Sequence, residues 1–138
     1  MIRLEKNYAK NVWDILKLQV DESQDKFVAS NKESIIDAYT AIGTACSAFP
    51  FGIYNDKEPV GFVMIGFNEA ALEEIYDEEP LDIMKNNYIL WRLMIDKEHQ
   101  NKGYGRNAVE LAIEFVKTMP CCSRRGCEAD LREFGKGL

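Results

Sequence analysis

The sequence lacks any apolar run long enough to cross a lipid bilayer, and its first residues lack the pattern of a secretory signal. We therefore expect a cytoplasmic protein with no membrane partner. An excess of positive charge is also missing, since the formal net charge is −6 at pH 7. Nucleic-acid binding needs a basic face, so this balance argues against a nucleic-acid partner.

Metal ligands are scarce. His99 is the single histidine, and no two cysteines form a C-x-x-C pair; the cysteines are Cys46, Cys121, Cys122 and Cys127. Because a structural zinc site needs closely spaced cysteines or histidines, we expect no bound metal. Cysteines of a cytoplasmic protein are normally reduced, so we expect free thiols.

The chain has the length and the 46% apolar content of one globular domain. Alternating or continuous apolar residues predict strands at 2–5, 51–54, 60–67 and 88–95. Apolar residues at three- and four-residue steps predict helices at 9–18 and 106–119. Ser30 and Glu33 fit a capping box that starts another helix, which stops near Gly43. This order of elements indicates an α/β or α+β sheet domain.

The polar segment between the last predicted strand and the last predicted helix indicates an anion-binding site. It reads Gln100-Asn101-Lys102-Gly103-Tyr104-Gly105-Arg106. Free backbone N–H groups and the positive end of a helix dipole favour an anion at such a position. The two glycines allow the backbone to approach a diphosphate closely. We therefore expect a phosphorylated cofactor here.

Three other interpretations of this segment compete with that one. Gly103, Gly105 and Ala108 fit the relaxed dinucleotide pattern G-x-G-x-x-A, but the polar residues 96–102 separate the strand from the first glycine. A Walker-type loop is excluded, because no Gly-Lys-Ser/Thr sequence follows a glycine at the required spacing. The third interpretation is an ordinary loop with a glycine-rich turn.

The spacing Gln-x-x-Gly-x-Gly, after a strand that ends in Ile95-Asp96 and before a helix, resembles the GNAT superfamily of N-acetyltransferases. Val60-Gly61-Phe62-Val63-Met64-Ile65-Gly66 resembles its central strand, and residues 20–31 resemble the first two helices of its spermine/spermidine acetyltransferase branch. The resemblance implies a mixed, largely antiparallel sheet flanked by helices. It also implies acetyl-coenzyme A (acetyl-CoA) as co-substrate, and no metal.

The resemblance also implies roles for particular residues. The loop would bind the diphosphate through backbone N–H groups and the charges of Lys102 and Arg106, so its candidate ligands are Gln100, Asn101, Lys102, Gly103, Tyr104, Gly105 and Arg106. Met94 and Ile95 would pair their backbone groups with the pantetheine arm.

Acidic residues suggest the acceptor. A run between residues 69 and 82 contains Glu69, Glu73, Glu74, Asp77, Glu78, Glu79 and Asp82, and a second group contains Asp21, Glu22 and Asp25. Several carboxylates attract a polycation better than one does, so we predict a small-molecule polyamine such as spermidine or spermine. Glu22, Glu74 and Trp91 are the candidate substrate-binding residues. A solvated acidic surface is the alternative interpretation.

The sequence departs from the resembled pattern after residue 119. The tyrosine that serves the family as general acid has no counterpart after Tyr104, and Arg132 stands where it belongs. No Asp or Glu occurs from residue 83 to residue 95, so the catalytic residues are left unassigned. We expect an acetyl-CoA-binding domain at 1–119 and an atypical tail at 120–138, produced by a truncation or a change of reading frame.

This departure has two consequences. If the usual C-terminal strands are missing, the strand at 88–95 presents an unpaired edge, and such an edge favours a homodimer. Two functions then remain open. The first is an N-acetyltransferase that acts on a primary amine, and the alternative is a catalytically impaired acyl-CoA-binding module.

Overall fold

A computed structural model gives the structure of residues 1–119, apart from residue 27, residues 44–45 and residues 69–85. Its elements are β1 (Ile2–Lys6), α1 (Val12–Leu16), a 3-10 helix (Glu22–Gln24), α2 (Asn31–Ala41), β2 (Ser47–Asn55), β3 (Glu58–Phe67), β4 (Tyr88–Ile95), a second 3-10 helix (Lys97–His99) and α3 (Tyr104–Lys117). Within these ranges the strands form an antiparallel sheet in the order β1-β2-β3-β4. The predicted α/β class, with a largely antiparallel sheet flanked by helices, is confirmed.

β3 lies at the centre of the hydrophobic core because both of its faces are covered. Phe62 and Met64 pack against α1 and α2 on one face, and Val63 and Ile65 pack against α3 on the other. All four side chains are fully buried. A continuous apolar run is typical of a strand with two covered faces, which explains why this segment shows no alternation of polar and apolar residues.

β4 contains a bulge that changes the direction of its side chains. Met64 pairs with Arg92 but Ile65 pairs with Leu90, so Trp91 is an extra residue in this strand. Trp91 and the next residue, Arg92, therefore both face α2. Beyond the bulge, Met94 faces the α1 and α2 side, where it packs in the same cluster as Trp91.

Most predicted elements are found, with shifted ends. The strand predicted at 88–95 is confirmed, and α3 begins at Tyr104 rather than at 106. α1 ends at Leu16 instead of 18, because the chain turns away to bond with the end of β4: the Gln19 N–H donates to Asp96 Oδ1 at 2.9 Å. None of the helices within the described ranges is long and apolar enough to span a membrane.

α2 packs through small and polar side chains rather than through its large apolar ones. Its predicted capping box is confirmed, since Ser30 Oγ accepts from the Glu33 N–H at 3.1 Å and Glu33 accepts from the Ser30 N–H at 2.8 Å. The residues of α2 that are fully buried are Asn31, Ser34 and Ala41. Its large apolar residues at Ile36, Tyr39 and the C-cap Ile42 are exposed.

The close approach of β3 to β4 leaves no room for a side chain at Gly61. A Cβ atom there would overlap the carbonyl oxygen of Met94 and would lie 3.0 Å from Ile95 Cδ1. A Gly61→Ala variant should therefore lose about 3 kcal/mol of unfolding free energy, the upper end of the usual cost of overpacking, because the obstacle is backbone. Urea denaturation checks this loss. Gly43→Ala is the control, because its Cβ would meet only Thr40 O, at 3.9 Å, and an equal loss in both variants would contradict the predicted strand contact.

Candidate active site

The N-terminus of α3 is open to a ligand. The Asn107 N–H donates to Gly103 O at 3.2 Å, so the N–H groups of residues 104–106 precede the first hydrogen bond of the helix. No side chain caps this end among the described residues, whereas α2 is closed by Ser30 and Glu33. Gly103 has φ 80° and ψ 7°, a left-handed conformation that glycine adopts without strain. The arrangement suits an anion.

Positive charge and free space accompany these N–H groups. Lys102 and Arg106 are exposed, and Arg106 Nε lies 3.4 Å from Glu110 Oε1, its ion-pair partner one turn along α3. A Cβ atom at Gly103 would meet nothing within 4 Å, and one at Gly105 would meet only Ile95 Cγ1, at 3.7 Å. The space beside the helix start is therefore not filled by any described residue. Free donors, two cations and open space fit a diphosphate group.

The side chains of two predicted ligands hold the loop in place instead of pointing to a ligand. Gln100 Nε2 donates to Ile95 O at 3.1 Å and to Gln24 Oε1 at 2.8 Å. Tyr104 Oη accepts from Asn55 Nδ2 at 3.1 Å. Both residues are therefore suited to bind a diphosphate through their backbone, as predicted for the loop as a whole.

Asp96 organises the site, and sequence reasoning assigned it no role. Its buried carboxylate accepts from the Gln19 N–H at 2.9 Å and from the Glu98 N–H at 3.3 Å. Its own N–H donates to Val60 O at 2.8 Å, and the Lys97 N–H donates to Gln19 O at 2.8 Å. One carboxylate thus joins the end of β4 and the segment after α1 to the second 3-10 helix, which leads into the cofactor loop. An acid directly after an apolar strand was the available signal.

An open cleft of about 740 Å³ lies between α1, the segment that follows it, the start of α2 and the end of β4. Apolar walls come from residues such as Leu16, Val20 and Met94. Charged residues also line it, and these are Asp21, Glu22, Asp25, Lys32, Glu33 and Lys97. Gln24, between the lining residues Glu22 and Asp25, accepts from Gln100 Nε2, so the segment that forms this wall of the cleft contacts the cofactor loop. Of the predicted residues, Glu22 and Met94 line the cleft, and Gln100 contacts the segment that carries Glu22.

The four carboxylates of the cleft are not equivalent. Asp21 accepts from the Ser23 N–H at 3.1 Å and caps the first 3-10 helix. Hydrogen bonds from the backbone N–H and then the hydroxyl of Ser30 lower the pKa of Glu33 below its usual range, so this carboxylate is held at the helix cap. Glu22 and Asp25 make no hydrogen bond or ion pair with other side chains in the described parts of the chain, and both are exposed. These two are available to a ligand.

Trp91 is a predicted substrate residue that does not line the cleft. Its indole packs beside Gly66 and against the small cluster that contains Ala41, Cys46 and Ala48. Glu74 belongs to residues 69–85 and lies, with the rest of that acidic run, outside the described residues. Both assignments stay predictions.

Arg92 is the charged residue of β4, the strand before the loop, and this strand contains no Asp or Glu. Its Nη2 atom donates to Asp37 Oδ2 at 3.3 Å, and its Nη1 atom donates to Trp91 O at 3.0 Å. Its Nε atom is buried and has no hydrogen-bond partner among the described residues. Arg92 therefore fixes α2 to β4 beside the bulge, and this strand offers no carboxylate base.

No metal-binding group of three or more His, Cys, Asp or Glu side chains occurs among the residues that the structure describes. The candidate functional features of the described residues are therefore the loop and the cleft.

The family model for the acetyltransferase (GNAT) family matches residues 12–132, which include α1, the whole cleft, the cofactor loop and α3.

The chain belongs to the GNAT acetyltransferase family. Members of the family use acetyl-CoA as co-substrate, and the start of α3 stays the predicted site for its diphosphate. The match continues from residue 119 into the C-terminal segment as far as residue 132, and the predicted boundary at 119 stays a prediction.

A solved structure described as an acetyltransferase from Thermus thermophilus has the same fold. It matches with a TM-score of 0.53 over 86% of this chain and 70% of that one, at 19% sequence identity. Likeness at this identity shows the fold alone. The comparison with curated proteins gives no match.

A Gly105→Ala variant tests the diphosphate site without disturbing the fold. Its Cβ has room within the protein, and alanine is the better helix former, so unfolding free energy should stay unchanged or rise by up to about 1 kcal/mol. Affinity for coenzyme A should fall roughly tenfold or more, because the methyl group enters the space beside the free N–H groups. Calorimetric titration with coenzyme A measures this, with Gly43→Ala as control. Unchanged affinity in Gly105→Ala would count against the loop assignment.

Proposed function

We propose that this GNAT protein transfers the acetyl group of acetyl-CoA to a primary amine of a polyamine such as spermidine or spermine. The observation that carries the proposal is the cleft lined by the unpaired carboxylates of Glu22 and Asp25, whose wall segment is hydrogen-bonded to the cofactor loop through Gln24. A spermine/spermidine acetyltransferase-like activity, predicted from residues 20–31, would place the amine in this cleft. Glu74 and Trp91 remain proposed contributors.

The charges of the two neighbouring sites support this division of roles. The start of α3 carries free N–H groups, Lys102 and Arg106, which favour an anion. Glu22 and Asp25 line the cleft on either side of Gln24 in the sequence, and their negative charges favour a cation. A polyamine carries several ammonium groups, so one amine can react while others remain near these carboxylates.

The reaction requires an uncharged amine. Its nitrogen forms a bond to the thioester carbon, the carbon–sulfur bond breaks, the amine loses a proton and the departing sulfur gains one. Primary amines titrate near 10, so the amine must lose a proton before attack at neutral pH. Glu22 and Asp25 are solvated, and they suit removal of that proton through water better than by direct contact.

The second candidate function is an acyl-CoA-binding module with little turnover. It is favoured by Arg92, which occupies β4 where a base was sought, and by the lack of a buried carboxylate lining the cleft among the described residues. In both cases we propose a homodimer. Within the described ranges β4 has β3 as its one sheet neighbour, so the other edge from Ile89 to Ile95 is available to a second chain.

The test begins with acetyl-CoA titration and continues with free-thiol release in the presence of spermidine, spermine or propylamine. Binding followed by thiol release that depends on added polyamine would support the acetyltransferase. Binding without release for any amine would favour the acyl-CoA-binding module. Equal thiol release with propylamine and spermidine would support the acetyltransferase activity but would contradict a polyamine as its specific substrate.

Neutralising Glu22 and Asp25 together should raise KM for spermidine roughly threefold to tenfold, the effect of losing partly solvated charge pairs. KM for propylamine should change less, because propylamine has no second ammonium group. The variant Glu22→Gln/Asp25→Asn is compared with Asp56→Asn/Glu114→Gln, which removes the same charge from the β2–β3 turn and from α3. An equal rise in KM for both amines, or the same rise in the control, would contradict the assignment.

A further inference from the structure

One polar side chain of the cleft is buried, and it is uncharged. Asn31, the first residue of α2, is 4% exposed, yet it lines the cleft beside Met94. The other polar residues of the cleft are half-buried or exposed. Asn31 therefore lies at the floor of the cleft, and the carboxylates of Glu22 and Asp25 lie at its rim.

The hydrogen bonds of Asn31 fix which of its two side-chain atoms is available. Its Nδ2 donates to the carbonyl oxygen of Ile15 at 2.8 Å and lies 3.7 Å from Met94 Sδ. A carbonyl can only accept, so nitrogen must face Ile15 and oxygen must face away from it. Oδ1 accepts no hydrogen bond from the described residues, and it is not among the atoms sealed from solvent. It is an open acceptor in an otherwise buried side chain.

We propose that Asn31 Oδ1 binds the N–H of the reacting amine at the floor of the cleft, an inference that rests on the proposed function. This open acceptor faces solvent in the free protein, and a ligand N–H can replace the water there. Asn31 also joins α1 to α2 through Ile15, so its position is fixed before the amine arrives. Met94, beside it, is the predicted contact of the pantetheine arm.

An amide suits this position better than a carboxylate for a physical reason. A carboxylate within a few ångströms stabilises the ammonium form of an amine and raises its pKa by roughly one to three units. The charged form cannot attack a thioester. An amide oxygen accepts the same hydrogen bond without adding a full negative charge. The structure thus separates two tasks, with charge at the rim for affinity and a neutral acceptor at the floor for reaction.

The charged groups around Asn31 belong to three elements. The segment after α1 contributes Asp21, Glu22 and Asp25, α2 contributes Lys32 and Glu33, and the end of β4 contributes Lys97. These groups are unchanged in a substitution at residue 31. A shift of the pH profile in such a variant therefore reports the new group at the floor of the cleft.

The test compares Asn31→Asp with Asn31→Ala, because both lose the Nδ2 bond to Ile15 but only the first adds a carboxylate. For Asn31→Asp, the ascending limb of the kcat profile with spermidine, which reports the bound amine, should move up by about one pH unit or more, so that kcat at pH 7 falls roughly tenfold or more. For Asn31→Ala, kcat should fall, but the ascending limb of its pH profile should stay at the wild-type pH. Coenzyme A affinity, measured by calorimetry, should be retained in both.

The possible outcomes distinguish a failure of this inference from a failure of the proposed acetyltransferase function. If the ascending limbs of the pH profiles lie at the same pH in the two variants, Asn31 only joins α1 to α2 and the inference is overturned. A wild-type protein without amine-dependent thiol release would overturn the proposed function itself. If neither variant folds, the Asn31 side-chain NH₂ signals of the wild-type protein, assigned by through-bond NMR, are followed as spermidine is added with coenzyme A present. A saturable shift supports the inference, and unchanged signals overturn it.

Discussion

The buried carboxylate of Asp96 is the interaction on which the site depends. It accepts from the backbone of Gln19 and of Glu98, and so it holds the segment after α1 against the end of β4. Without it, these two backbone N–H groups would lose a charged acceptor. A hydrogen bond to a charged group contributes about 1.5–3 kcal/mol. The segment that lines the acidic cleft and the 3-10 helix that leads into the cofactor loop therefore share one support.

The two sites have opposite electrostatic character although they are neighbours. Residues 104–106 present free N–H groups, and no side chain among the described residues neutralises them. The cleft presents Glu22 and Asp25, whereas Asp21 and Glu33 are held by Ser23 and Ser30. An anionic co-substrate and a cationic acceptor would thus be directed to separate places. Separation of this kind keeps the diphosphate and the carboxylates, which are both anionic, apart from each other.

The sequence predicted most of the fold because the signals were local. The strand at 88–95, the capping box at Ser30 and the glycine loop are each specified by a short run of residues. The end of α1 could not be predicted, because Gln19 leaves the helix to bond with Asp96, far away in the sequence. The burial of Asn31 and the exposure of Tyr39 likewise depend on which face of α2 meets the sheet. Asp96 and Asn31 were missed for the same reason: each acts through a distant backbone group.

The bulge at Trp91 has a consequence for how this strand can change in evolution. Side chains alternate between the two faces of a strand, and the extra residue resets that alternation, so Trp91 and Arg92 share a face and Met94 reaches the cleft. A single-residue deletion at the bulge would restore regular pairing and alternation, so the core residues on both sides of it would keep their face. A deletion elsewhere in β4 would instead turn part of the strand over, and either Leu93 and Ile95 or Tyr88 and Leu90 would leave the core beneath α3. Lineages of this fold should therefore change the length of β4 at the bulge more readily than at any other position of the strand.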